Sequence, residues 1–141
     1  MPYATEQNII DRYDMSVLLI VADVDNDGAV DSAKVDAALQ DATDEIDAYI
    51  GAKYTLPLTS TPSSLVRVCI DIALYRLSPD GAYTEEKRIR YEDAIRFLKS
   101  VARGDASLGI DDASDVDGGT NDVEFDGPER QFSRSKMGRI T

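Results

Sequence analysis

The chain has 141 residues, a net charge of −12, a pI near 4.3, one cysteine and no histidine. A surface that acidic makes a poor general binder of nucleic acid or of anionic membranes, which attract basic side chains. The lone Cys69 cannot staple a fold, and without histidine the chain lacks His-based triads and His-type metal sites. No signal-like segment opens the chain and no apolar run is long enough to span a bilayer, so the expectation is a protein made and used in a reducing cytoplasm.

Two short helices are expected first. Thr5 can cap Glu6–Tyr13, whose apolar face is Ile9, Ile10 and Tyr13. Asp14 or Ser16 can cap a second, Val17 to Ala22. Its run VLLIV also fits a strand, but nothing nearby offers a strand to pair with it. Asp23 to Asp31, DVDNDGAVD, is a turn. Ser32 to Lys53 reads as the longest helix, with Val35, Leu39, Ala42, Ile46, Tyr49 and Lys53 in its stripe and Ile50 widening it. Its outer face carries Asp36, Asp41, Asp44, Glu45 and Asp47.

Pro57 prevents that helix from continuing through YTLPL, while Leu56 and Leu58 can still reach a core. Thr61 as cap and Pro62 at the first helical position restart a helix. This one, Ser63 to Leu77, is apolar on most of its circumference, so it should be covered on most sides. Ser78 to Gly81 is a turn by composition. Thr84 then caps Glu85 to Ala102, with Tyr91, Ala94, Ile95, Leu98 and Val101 inward and Gly104 ending it. Its outer face is more basic than acidic and includes Arg88, Arg96 and Lys99, with Glu86–Arg90 and Glu92–Arg96 placed to pair. The fold class is all-α: a small bundle of four to five helices over residues 1–104, followed by an acidic linker and extended C-terminal arm over 105–141.

Residues 105–141 hold nine acids and four bases. The bases Arg130, Arg134, Lys136 and Arg139 fall at the end, interleaved with Phe132, Met137 and Ile140. Basic and apolar residues at the tip of an acidic leash suit a segment that docks on a partner, and a tail of accidental composition is the plainer alternative.

The turn DVDNDGAVD matches the start of an EF-hand calcium loop, with Asp23, Asp25 and Asp27 at its first three ligand positions and Asp31 at the ninth. The bidentate Glu at the twelfth is replaced by Lys34, and an Asx-rich turn capping the next helix is the preferred reading. No metal or other cofactor is therefore expected. Asp71, between Ile70 and Ile72, could be a tuned carboxylate but is read as facing Arg67 or Tyr75. No phosphate loop, paired-cysteine zinc spacing or nucleophile elbow is present, so no catalytic residue is nominated and no enzyme is expected.

Taken in order, MPYATEQNIIDRY, DVDNDGAVD, DEIDAYIGAKYTLPL, PSSLVRVCIDIALYRL, YEDAIRFLKSVARGDASLG and RQFSRSKM resemble the phage Mu gp36-like family of small tailed-phage proteins. The likeness runs over residues 1–110 and resumes at Arg130–Met137, with Gly118–Gly127 outside it. In general plan the chain is similar to head–tail adaptor (connector) proteins. The resemblance implies a virion protein of the head–tail neck, present in the host cytoplasm during assembly. Such a protein would form a dodecameric ring below the portal protein, extend the channel and pass double-stranded DNA without binding it specifically. It would dock a stopper or tail-completion protein. Its arm (Arg130, Phe132, Arg134, Lys136, Met137 and Arg139) would reach the portal or a neighbouring subunit. The acidic face (Asp36, Asp41, Asp44 and Asp47) would meet the basic one or line the lumen. The other expectation, from the residues alone, is a small acidic binding module with a degenerate calcium loop.

Overall fold

A helix that cannot hide its apolar residues on one stripe must be surrounded, and Ser63–Leu77 is. In the computed structural model, which describes residues 1–79 and 84–110, it is the fourth of five helices. These are α1 (Glu6–Tyr13), α2 (Met15–Ala22), α3 (Ser32–Ile50), α4 (Ser63–Leu77) and α5 (Glu85–Arg103). The described residues form no strand, and the fold is all-α. The helix α4 packs against each of the other four. Nine of its fifteen residues are buried, and Leu65, Val68, Cys69, Ile72 and Ala73 lose all exposure. No helix among the described residues is long and apolar enough to cross a membrane.

Local chemistry sets the helix limits. Thr5 and Asn8 form a reciprocal capping box at the start of α1, through an Asn8 N–H to Thr5 Oγ1 bond of 3.3 Å and a Thr5 N–H to Asn8 Oδ1 bond of 2.9 Å. Asp14 ends α1 and begins α2. Its N–H donates to the Ile10 carbonyl at 2.9 Å, and its carboxylate accepts the Met15 N–H at 2.6 Å. It does this at φ 79° and ψ 155°, outside the left-handed helical region and in a conformation that residues bearing a Cβ rarely adopt. The ambiguous run VLLIV is thus helical. Asp31 caps α3 by accepting the Lys34 N–H at 3.3 Å, while its own N–H donates to the Ala22 carbonyl at 2.9 Å. Thr84 and Gly104 bound α5 as expected, Gly104 in the left-handed conformation at φ 85°.

Two expectations are corrected. The third helix stops at Ile50 rather than Lys53, because the chain tightens there. Lys53 and Tyr54 both donate to the Ile50 carbonyl, and Tyr54 turns inward until it is 2% exposed. Its hydroxyl accepts the Leu108 N–H at 3.0 Å, which draws the chain after α5 under the bundle. Thr61 does not cap α4. Pro62 is the N-cap, its extended ψ of 144° keeping it outside the helix, and no side chain caps the end. Burial holds this helix in place of a cap.

The inner face of α3 is Val35, Ala38, Leu39, Ala42, Thr43, Ile46 and Ile50. Its one polar member is satisfied locally: Thr43 Oγ1 donates to the Leu39 carbonyl at 2.9 Å and accepts the Tyr3 N–H at 3.0 Å. Beside it lies Cys69, whose thiol burial pushes up in pKa, the reverse of what an active nucleophile needs. From α5 the core takes Ala94, Leu98 and Val101.

Replacing the fully buried Ile72 by Ala should lower stability by roughly 2–5 kcal/mol, measured as a shift of the denaturant midpoint. A loss below about 1 kcal/mol would contradict the packing described for α4.

Candidate interaction surfaces

The two longest helices turn differently charged faces outward. Within its nineteen residues α3 holds five acids and one base, and α5 holds six bases and four acids. On α3, Asp36, Asp41 and Asp44 are exposed, and Asp44 accepts a bond from Gln40 at 2.9 Å. Asp47 differs from them. It is half-buried and takes the hydroxyl of Tyr3, so it fastens the N-terminal segment to α3.

On α5 the bases are laced to acids of the same helix. Arg88 bridges Glu85 and Glu92, the latter at 2.6 Å; Arg90 pairs with Glu86; Arg96 pairs with Asp93 at 2.7 Å, and not with Glu92. These exposed pairs contribute little stability, and they leave the face mixed in charge rather than simply basic. Lys99 is exposed, and with Arg96, Ile95 and Tyr91 it borders a shallow groove of about 350 Å³.

A polar joint that the sequence does not announce fixes one face relative to the other. Glu45 of α3 accepts both Nε (3.2 Å) and Nη2 (2.5 Å) of Arg76 from α4, and the hydroxyl of Tyr91 from α5 at 3.1 Å. Tyr91 in turn stacks on Tyr75, with ring centroids 4.2 Å apart. Burial raises the Tyr91 phenol above its ordinary range, and the Glu45 carboxylate adds to the shift. The hydrogen bond that Arg76 donates to Glu45 likewise holds the Arg76 proton more firmly. Spacing along any one helix cannot reveal this cluster, because its members come from three.

The second joint is at Asp71. It does not pair with Tyr75 along its own helix. It accepts the Tyr13 hydroxyl of α1 at 3.0 Å, and the Tyr13 ring lies 4.7 Å beneath the Arg90 guanidinium. Asp71 is 6% exposed. Burial pushes its carboxyl above the usual aspartate range, opposed by the Tyr13 hydrogen bond and by Arg67, Arg12 and Arg90. With a phenol and three guanidiniums around it, the carboxylate is a packing tie between helices.

In the acidic turn the carboxylates face the backbone. Asp23 accepts the Asp27 N–H at 3.1 Å and the Gly28 N–H at 2.9 Å, and Asp27 accepts the Ala29 N–H at 2.8 Å. Asn26 and Gly28 take positive φ, which makes the reversal tight. Asp25 is exposed, and Asp31 serves as the α3 cap. Among the described residues no three acidic or thiol side chains converge as a metal-binding group. The arm residues Arg130, Phe132, Arg134, Lys136, Met137 and Arg139 lie outside the described residues, as do Asp80 and Gly81 of the turn after α4.

Comparison with known proteins gives one consistent answer. A family model described as "Bacteriophage Mu, Gp36" matches residues 3–126, and so runs on through most of the stretch that the motif likeness leaves out. The Mu-like prophage FluMu protein gp36 of Haemophilus influenzae is 44% identical over 110 residues, covering 78% of this chain and 77% of that protein. Gene product J of Escherichia phage Mu is 32% identical over 142 residues, covering 99% of this chain and all of that protein.

Two outcomes follow from these sites. Because the folded state raises the Asp71 pKa, its contribution to stability is complete at acid pH and fades as pH rises through the raised value. The stability of an Asp71→Asn variant relative to the parent should therefore improve between about pH 4 and pH 7. Urea midpoints at both pH values check this, and a constant difference would contradict it. In the turn, Asp23→Ala should lower the thermal midpoint by the same amount with and without millimolar calcium. A calcium-dependent gain confined to the parent would make the turn a metal site.

Proposed function

The chain belongs to the bacteriophage Mu Gp36 family, and from that membership we propose that it is a virion protein acting as a head-to-tail adaptor. In this reading copies of the chain assemble into a dodecameric ring below the portal protein. The ring lengthens the DNA channel and offers its far side to a stopper or tail-completion protein. It performs no catalysis.

Family membership carries the reading, and features of the molecule support it. The body is a small helical bundle whose two long outer helices differ in charge, α3 acidic and α5 mixed but net basic. Repeated around a ring, the exposed Asp36, Asp41 and Asp44 of one subunit would meet Arg96 and Lys99 of the next, a head-to-tail contact that closes if the rotation does. Such a contact needs the two faces held at a constant angle. The Glu45–Arg76–Tyr91 joint does that within each subunit. A net charge of −12 also suits a channel wall past which a polyanion must slide without adhering.

The arm supplies the attachment. Arg130, Arg134, Lys136 and Arg139 with Phe132 and Met137 give a basic and apolar tip at the end of an otherwise acidic chain. In this reading the tip docks on the portal or on a neighbouring subunit. Deleting Arg130–Thr141 should leave the helical circular dichroism of the body intact and abolish incorporation into portal-containing particles. Normal incorporation of the truncated chain would remove the arm from the account.

A further inference from the structure

Among the described helices α2 and α4 are apolar on most sides, and α4 is by far the better covered. The sequence of α2, MSVLLIVA, has no charged residue. It buries Leu18, Val21 and Ala22 against the bundle, yet Ile20 is 67% exposed and Met15 40%. A helix apolar all round is normally buried all round, so among the described residues the outer side of α2 is left without a cover. That side forms the wall of a groove of about 490 Å³ between α1–α2 and the first turns of α5. Tyr13, Val17, Ile20 and Leu74 make it apolar, and Thr84, Glu86, Lys87 and Arg90 complete its lining, so it carries two cations against one carboxylate. Arg12, close to the Tyr13 ring, adds a third cation nearby.

The chain itself contains a segment with the matching chemistry. Residues 111–129 hold eight acids and no base, and within them Asp122–Asp126, DVEFD, alternates acids with Val123 and Phe125. The acidic outer face of α3 repels such a segment, whereas the groove, with Lys87, Arg90 and nearby Arg12 against Glu86, is net positive and attracts it. The Arg90–Glu86 pair already there is an exposed pair on one helix, and it exchanges at little cost. Length permits the approach. The described residues end at Ile110, seven residues past the C-terminal end of α5, and the groove lies at the other end of that nineteen-residue helix, about 28 Å away. The eleven residues from 111 to 121 can span up to about 36–40 Å. A tether of this length gives an effective concentration of order millimolar, an advantage that no separate molecule enjoys.

We propose that Asp122–Asp126 docks in the α1–α2–α5 groove of its own chain, Phe125 against Ile20 and Val17 and the flanking acids toward Lys87 and Arg90. The inference is independent of the adaptor reading, since it concerns a single chain and is tested on the isolated protein. It also gives the acidic stretch a purpose: the leash is anchored to the body, and the basic tip beyond Arg130 starts from a fixed point.

The test uses the full chain carrying paired cysteines, Ile20→Cys with Phe125→Cys, under mild oxidation. A second pair, Lys99→Cys with Phe125→Cys, places the probe nearer the C-terminal end of α5. The expected result is an intrachain disulfide that forms at least about tenfold faster for the Ile20 pair than for the Lys99 pair. Equal rates, a faster Lys99 pair, or disulfides joining two chains would overturn the proposal. As a second measurement, Phe125→Glu in the otherwise unaltered chain should speed hydrogen exchange of the Leu18–Ala22 amides by about twofold or more. Unchanged exchange in α2 would count against docking.

Discussion

A fifteen-residue helix that must be covered on every side leaves its neighbours little choice of position. The burial of α4 sets the architecture for that reason. Each of the other four helices gives up an apolar face to it, and its fully buried residues Leu65, Val68, Cys69, Ile72 and Ala73 define where those faces meet. The ends of α4 confirm which force dominates. It begins at Pro62 without a side-chain cap, whereas α1, α2, α3 and α5, with less burial each, are all capped by Thr or Asp. Non-directional burial gathers the helices, but it does not by itself fix their rotation about one another.

Hydrogen bonds of tyrosine hydroxyls supply direction, two of them between helices and two between a loop and the bundle or another loop. Tyr3 reaches Asp47, Tyr13 reaches Asp71, Tyr91 reaches Glu45, and Tyr54 receives the Leu108 N–H. Each joins elements distant in sequence, and three of the four end on a carboxylate. A phenol suits this work, since its ring packs with the core while its hydroxyl reaches a polar partner at the edge. Some of the acids that make the chain so negative are therefore internal fastenings, whereas Asp36, Asp41 and Asp44 stand exposed on the outside of α3.

Much of this was legible in the sequence, because it depends on local chemistry. The end of α4 at Leu77, the Thr5 and Thr84 caps, the Gly104 stop and the all-α class follow from periodicity and from residues adjacent in the chain. A cap for α3 from the end of the acidic turn was legible for the same reason, and the structure gives it to Asp31. What escaped involves pairs that no spacing rule connects. Glu45 seemed to be one more acid on a solvated face, and it is the junction of α3, α4 and α5. Asp71 was expected to face Arg67 or Tyr75 along its own helix; Arg67 does act on it, but its hydrogen-bond partner is Tyr13, fifty-eight residues away. The early end of α3 depends on Tyr54 finding room in the core, which only the assembled bundle decides. Among the candidate site residues, exposure on α3 and α5 could be anticipated from the helical repeat. The lacing of Arg88 and Arg96 to nearer acids could not be settled that way, because several acids lie within reach at helical spacing.

An adaptor is defined by its place in the particle, so the most direct measurement is an electron microscopy reconstruction of the neck of a virion containing this chain. The account predicts a closed ring of twelve copies immediately below the portal, each a five-helix bundle, with the acidic face of α3 turned to the channel or to the α5 of the next subunit. A neck without this protein, or density for it as isolated copies elsewhere in the particle, would contradict the account.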